Sequence, residues 1–369
     1  MHKKIKILHI TSSLKIGGAE TVLCQVISQL KNQFEHHVIY FHGGPNIKKL
    51  HDLGVRTYQI KGLFFLYDLL FFVRLFILIK QLSPNIIHSL LWAANISSRL
   101  ASWLIGVPNI SVYHNNIDQN GLIRNMIDKI TAYRSDCIVA VSSQIEDDLK
   151  KSLRAKQMRV IKNGIDIDAI HRVAKKTIIL KSDLGIANEK LIIGSVGRLD
   201  PIKNFPLLLK SFSLMRTRKE DVHLVIVGVG KEETKLRKLA YDLGISHNMT
   251  LVIGKQAYPY YRLFDLFVQS SDKEGISMAL LEAMSFSVPC IVTHAYPIHP
   301  VIVNKENGIV VEASNEEQLS HAIDLLLTDR LSARTIGIHG RDTIIKNFSS
   351  TSMVQGYRRL FSLFANREL

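Results

Sequence analysis

Two glutamates bracket seven residues in the run Glu274-Gly275-Ile276-Ser277-Met278-Ala279-Leu280-Leu281-Glu282. A short apolar stretch at 266–268 precedes the run and reads as a buried strand, and a mostly apolar, helix-like stretch at 278–284 follows it. One carboxylate therefore falls in a strand-to-helix turn. The other sits about two turns on, roughly 12 Å away if the whole span is helical. Gly275 frees the backbone between them, and the amides of Ile276, Ser277 and Met278 at the helix start are open to an anion. Carboxylates for hydroxyls and amides for a phosphate make a layout that holds a sugar and a phosphate together. A second group, Gly197-Arg198-Leu199-Asp200-Pro201-Ile202-Lys203-Asn204, directly follows the predicted strand 191–196. Arg198 brings a planar fork and Lys203 a point charge, a pair able to clamp both phosphates of a diphosphate.

The elements that must position these groups alternate along the whole chain. In the first half, β-branched runs at 6–10, 37–41, 55–60, 85–89, 109–113 and 136–141 predict strands. Helix-like stretches near 19–30, 67–81, 93–104, 122–133 and 144–153 separate them. In the second half the predicted strands are 191–196, 223–227, 250–253, 266–268, 290–292 and 308–311. At 369 residues the chain exceeds one ordinary core. The rhythm predicts an α/β protein of two Rossmann-like, doubly wound parallel-sheet domains facing across a cleft, with ligands at the carboxyl ends of the strands. The domains are expected at 1–163 on the acceptor side and 164–345 on the donor side, with a helical segment at 346–369 crossing back to the first domain.

Further pieces fall in order along the chain. Gly17-Gly18-Ala19-Glu20 follows the first strand, and Ser111-Val112-Tyr113-His114-Asn115 ends the fifth. Ala140-Val141-Ser142, Asn163-Gly164-Ile165-Asp166, the 197–203 loop, Val227-Gly228-Val229-Gly230 and the paired-glutamate run come next. As an ordered set, spanning about residues 5–312, they resemble the retaining glycosyltransferases of family 4, the group 1 glycosyl transferases of GT-B architecture. The resemblance implies transfer of a sugar from a nucleotide-diphosphate donor, taken as UDP-linked, to a hydroxyl of a glycan or lipid-linked acceptor, with retained anomeric configuration. It implies that Arg198 and Lys203 hold the donor diphosphate, with Gly197 in the same loop. Glu282 accepts from the ribose diol, Glu274 faces the donor sugar, and the amides from Gly275 through Ile276 and Ser277 to Met278 complete the contacts. Gly17 and Gly18 let the backbone approach the donor, and His114 points at its sugar. Ser277 and Ala279 stand where the family often has glycine and proline, and Leu90 and Ala93 where many relatives carry histidines near His88. No cofactor and no metal are expected. A same-fold epimerase or phosphorylase, or a non-catalytic nucleotide-binding subunit, stays open as an alternative.

Composition narrows the setting. Hydrophobic residues make up 47% and charged residues 21%, which marks a globular chain. Cys24, Cys137 and Cys290 are scattered without metal-ligand spacing, which points to a reducing compartment, and the first residues hold too short an apolar run for a signal peptide. The formal net charge is +15. Residues 1–162 hold 21 Lys+Arg against 10 Asp+Glu, so 21 − 10 = +11 of the excess lies in the first half. No nucleic-acid recognition motif accompanies it. Residues 64–79 are apolar except for Asp68 and Arg74, too short and too charged to span a bilayer yet lacking the polar face of an outer helix. The expectation is a cytoplasmic protein at the inner face of the membrane, making a peripheral contact through this segment and the basic first domain. The alternative is a helix covered by the C-terminal segment. Asp166-Ile167-Asp168 resembles a metal-binding pair but reads as a helix cap, and Gly228-Val229-Gly230 lacks the third glycine of a dinucleotide fingerprint.

Overall fold

The computed structural model describes residues 4–15, 17–62, 69–114, 121–215, 221–272, 276–294 and 299–365. The chain folds as two compact units, Met1–Asn163 with Ser350–Leu369, and Gly164–Ser349. Each is built on one parallel sheet. In the first unit the strands are β1 (Lys6–Ser13), β2 (Glu35–His42), β3 (Arg56–Gln59), β4 (Ile86–Leu90), β5 (Asn109–Tyr113), β6 (Cys137–Ala140) and β7 (Met158–Val160). They are ordered β3-β2-β1-β4-β5-β6-β7, with every pairing parallel. The helices are α1 (Gly18–Leu30), α2 (Asn46–Asp52), α3 (Leu69–Leu82), α4 (Trp92–Ile105), α5 (Leu122–Thr131) and α6 (Ser143–Ser152).

The second unit opens with α7 (Ile167–Lys176) and continues β8 (Leu191–Arg198), α8 (Phe205–Ser213), β9 (Val222–Val229), α9 (Glu233–Asp242), β10 (Met249–Ile253) and β11 (Leu266–Gln269). It closes with α10 (Met278–Ser285), β12 (Cys290–His294), β13 (Ile309–Glu312), α11 (Glu316–Thr328) and α12 (Arg330–Asn347). Its sheet runs β10-β9-β8-β11-β12-β13. The last helix, α13 (Ser350–Ala365), belongs to the first unit. Its buried Met353, Val354, Tyr357, Leu360, Phe361 and Phe364 recur at helical spacing and pack toward α1 and β4.

The central strands read as near-continuous apolar runs because helices cover both faces. In the first unit the two faces differ in kind. Leu8, Ile10 and Ile87 point to the α3 and α4 side and join Phe71, Leu75, Ile79, Ala94 and Ala101 in one cluster. On the other side His9, His88 and His36 form a buried row, with His9 Nδ1 2.9 Å from His88 Nδ1 and His9 Nε2 2.8 Å from His36 Nδ1. Phe361 of α13 meets His9 and His88 edge-on, and Tyr357 meets His88. Thus α13 covers the histidine face, while α3 lies on the opposite one, so the C-terminal helix does not cover α3. Asp166 is the N-cap of α7, where its carboxylate accepts from the Ala169 amide at 2.9 Å. Among the described residues no helix is long and apolar enough to cross a membrane.

A polar network secures α5 to this scaffold. Arg99 of α4 is fully buried, and its guanidinium donates to Asp128 Oδ1 at 2.6 Å, Ser135 Oγ at 2.8 Å and the Tyr113 hydroxyl at 2.5 Å. The Tyr113 hydroxyl in turn donates to Asp128 Oδ1 at 2.5 Å. Removing one member of a buried ion pair strands the other charge, at a cost of about 3–5 kcal/mol. Asp128→Ala should lower the free energy of unfolding by about that amount in urea denaturation. A change below about 1 kcal/mol would show that α5 is held by other means.

Candidate active site

In an open parallel sheet, a crevice forms where the strand order reverses direction. The second unit reverses between β8 and β11, with β9 on the far side of β8. Leu266 pairs with Ile193 and Phe267 with Gly194, so the segments leaving the carboxyl ends of these two strands start side by side. These segments carry Arg198, Lys203 and the approach to α10.

Gly197 and Arg198 are the last residues of β8, paired with Gly228 and Val229, rather than part of the following loop. After them the backbone turns through a single 3-10 turn, Pro201–Lys203. Asn204 follows with φ 44° and ψ 46°, and its side chain accepts from the Leu207 amide to cap α8. A Cβ at residue 197 would lie 3.3 Å from Lys203 Cε and 3.4 Å from its Cδ, so glycine there gives the lysine stem room to lie along the strand end. Arg198 pairs with Asp200 at 3.1 Å, and its half-exposed guanidinium is set at the strand tip. Two ties bind this loop to the one after β11. Ser270 Oγ donates to the Lys203 carbonyl at 2.9 Å, and Asn204 Nδ2 donates to Asp272 Oδ1 at 2.6 Å. The glycines at 228 and 230 have a packing cause: side chains there would collide with the carbonyl oxygens of Gly197 and Leu199.

Beyond Asp272, Glu274 and Gly275 lie outside the described residues, and the chain resumes with buried Ile276, Ser277 and Met278. Ser277 is the N-cap of α10 and accepts from the Leu280 amide at 3.5 Å. Glu282 is 8% exposed, and its Oε2 accepts from the Tyr261 hydroxyl at 2.9 Å. Burial raises its pKa to about 7, and the Tyr261 hydrogen bond pulls in the opposite direction. Tyr258 is also held above the usual tyrosine range, by burial first and then by the charge of Glu282. Neither tyrosine was among the residues singled out from sequence. The Tyr258-Pro259-Tyr260-Tyr261 cluster was the available signal, some twenty positions from the glutamate it supports. A pocket of about 710 Å³ in this unit, lined by Arg262, Asp265, Pro289 and Arg330, opens elsewhere. It lies at the amino ends of β11 and β12, away from the switch point.

In the first unit the corresponding reversal falls between β1 and β4. Gly17, at φ −172°, is the N-cap of α1, and Gly18 is its first residue. A side chain at Gly17 would collide with the carboxylate of Glu20, which accepts from Ser13 Oγ at 2.6 Å. His114 directly follows β5. Its Nε2 is shielded and has no hydrogen-bond partner among the described residues, and burial lowers the imidazole pKa to about 4. The ring is therefore neutral at pH 7. His88 is placed in the histidine row beneath α13, a packing position.

The family model described as Glycosyl transferases group 1 matches residues 177–343, and the one described as Glycosyltransferase Family 4 matches residues 16–169. Among similar proteins is the Escherichia coli UDP-Gal:alpha-D-GlcNAc-diphosphoundecaprenol alpha-1,3-galactosyltransferase, 24% identical over 98% of this chain and 97% of that one. A Campylobacter jejuni N-acetylgalactosamine-N,N'-diacetylbacillosaminyl-diphospho-undecaprenol 4-alpha-N-acetylgalactosaminyltransferase is 26% identical over 86% of this chain and 88% of its own. The Anabaena protein HepE, solved in complex with UDP-glucose, aligns with a TM-score of 0.86 at 18% identity, covering 97% of this chain and all of its own.

The raised pKa of Glu282 sets a sign for stability. The folded state keeps its proton to about pH 7, whereas an unfolded glutamate loses it near 4.5. Between those values the folded protein binds more protons, so this group's contribution to stability falls as pH rises, by about 3 kcal/mol in all. In denaturation of the ligand-free protein, Glu282→Gln should be less destabilised than the parent as pH is raised from 4.5 to 7. Parallel pH dependences would show that Glu282 ionises normally.

Proposed function

Since the chain belongs to the family 4, group 1 glycosyltransferases of GT-B fold, we propose that it transfers a sugar from a UDP-linked donor to a hydroxyl of a lipid-linked or polysaccharide acceptor, with retention and without a metal. One observation carries the donor assignment. The segments leaving β8 and β11, tied together through Lys203, Ser270, Asn204 and Asp272, bring the cation pair and the start of α10 to the switch point of one sheet. The UDP-glucose complex of HepE and the UDP-Gal donor named for the Escherichia coli relative support the choice of nucleotide.

The chemistry follows from where charge moves. Cleavage of the bond between anomeric carbon and phosphate leaves negative charge growing on the departing diphosphate. Arg198 and Lys203, with the amides of residues 275–278, stabilise that charge more in the transition state than in the ground state. Glu282 has one oxygen held by Tyr261 and presents its other to the ribose diol, and donor binding favours its ionised form. Glu274 is assigned to the sugar hydroxyls. His114, neutral at pH 7, is assigned a hydrogen bond to the donor sugar. Cations at the leaving group take the part that a divalent metal plays in other transferases, and the acceptor attacks from the face the diphosphate leaves. The lipid-linked acceptors named for the Escherichia coli and Campylobacter relatives support a lipid-linked acceptor; we set it at the cytoplasmic face of the membrane, approached through a peripheral contact of the first unit.

Lys203→Ala and Glu282→Ala should each lose about 100-fold or more in both transfer and donor hydrolysis while melting cooperatively. Full activity in either folded variant would overturn the site assignment. Transfer should persist in a chelator, and loss restored by a divalent cation would overturn the metal-independent reading. Thermal shifts against a panel of nucleotide sugars should single out one donor. A flat response would favour a non-catalytic subunit, and interconversion of the donor sugar without release of the nucleotide would favour an epimerase.

A further inference from the structure

Helix α5 is turned inside out relative to an ordinary surface helix. Its buried side carries Asp128, locked to Arg99 and Tyr113, and its outer side carries Leu122, Ile123, Met126 and Ile130. Leu122 is 90% exposed and Ile130 61%. The apolar area continues onto α4, its neighbour on the same face of the sheet. Arg134 lies 3.9 Å from the centroid of exposed Trp103 and 4.5 Å from that of Tyr133, and Arg124 lies 5.0 Å from that of Trp92. These stacks place the starts of α4 and α5 together and their ends together, so the two helices run side by side. On the other flank of α4, α3 buries Phe71, Leu75 and Ile79 and exposes Leu69, Leu70, Val73 and Ile77.

Charge says what such a face can meet. Arg74, Lys80, Arg124, Lys129 and Arg134 lie along α3, α5 and the turn after it, at exposed or half-exposed positions. Asp128 is the sole carboxylate of α3, α4 and α5, and it is buried and paired. Two copies meeting through this face would bring like charges together, which disfavours self-association. Apolar side chains flanked by arginines, with Trp and Tyr rings stacked under guanidinium groups, match the boundary between headgroups and acyl chains of an anionic bilayer.

We propose that the α3–α4–α5 face of the first unit is a lipid-docking surface for anionic membranes, with α5 lying in the interface and the Arg99–Asp128 pair holding its apolar side outward. The proposal rests on the peripheral-contact part of the functional reading and is independent of the donor assignments. It gives α5 the leading part, where the sequence pointed to residues 64–79 and the basic first domain; residues 64–68 lie outside the described residues.

Vesicle flotation at low salt tests it. The intact protein should float with phosphatidylglycerol–phosphatidylcholine vesicles and stay behind with pure phosphatidylcholine. Leu122→Glu, Ile123→Glu and Met126→Glu together should lower the bound fraction about tenfold or more, with melting temperature and donor hydrolysis in solution unchanged. Arg124→Glu with Arg134→Glu should weaken binding and flatten its salt dependence. Equal flotation of the triple variant and the parent would overturn the proposal. So would no flotation of the parent, or a dimer in light scattering that the triple variant dissolves. Loss of donor hydrolysis in the parent with flotation intact would instead count against the transferase reading alone.

Discussion

Parallel pairing of β8 with β11 is the constraint from which the candidate site follows. Fifty and more residues separate the two segments in sequence, and only their adjacency in the sheet starts them from one edge. Once Leu266 is opposite Ile193, the segments leaving β8 and β11 start side by side. The hydrogen bond from Ser270 to the Lys203 carbonyl then sets the loop by its main chain, leaving the lysine stem to lie over Gly197. In the proposed reaction, cations placed by backbone ties would need little reorganisation as charge shifts between ground and transition state. Glu282 depends on the same frame in a different way. It sits in an apolar helix that strongly favours its neutral form, and Tyr261 is the counterweight.

The first unit shows a second use of a buried polar contact. A buried ion pair contributes little net stability against a well-packed apolar replacement, and its better-attested value is in specifying one arrangement among several. Arg99 and Asp128 fit that role. An amphipathic helix such as α5 would otherwise gain most by turning its leucine and isoleucines inward. With Asp128 satisfied by Arg99 and Tyr113, rotating the helix would leave a desolvated arginine without its partner. The network thereby fixes which side of α5 meets solvent.

Much of the architecture was legible in the sequence because strands buried on both faces leave continuous β-branched runs. The run at 109–113 coincides with β5, and 266–268 lies within β11. Short polar helices such as α2 left no such trace. The ends of β8 were hidden for another reason: Gly197 and Arg198 carry no apolar signal, although they pair with β9. Within the candidate site the ordered motifs pointed to Arg198, Lys203 and Glu282, since the proposed chemistry fixes their types and spacing. Tyr261 escaped notice because its link to Glu282 is made in space and not by a motif. The orientation of α5 was equally hidden. Its stripe of apolar positions reads as a buried face, and only the pairing of Asp128 with an arginine 29 positions away reverses it.

The return of α13 to the first unit bears on how the chain is made. Residues 350–365 leave the ribosome after the entire second unit, yet they roof the row formed by His9, His36 and His88. Throughout elongation the histidine row lacks this cover, although α1 on the same face, the strands and the remaining helices are already available to pack. The second unit, contiguous from Gly164 to Ser349, has no such wait. The unit synthesised first is therefore the one completed last, and its open histidine face is the surface that a nascent-chain chaperone would meet.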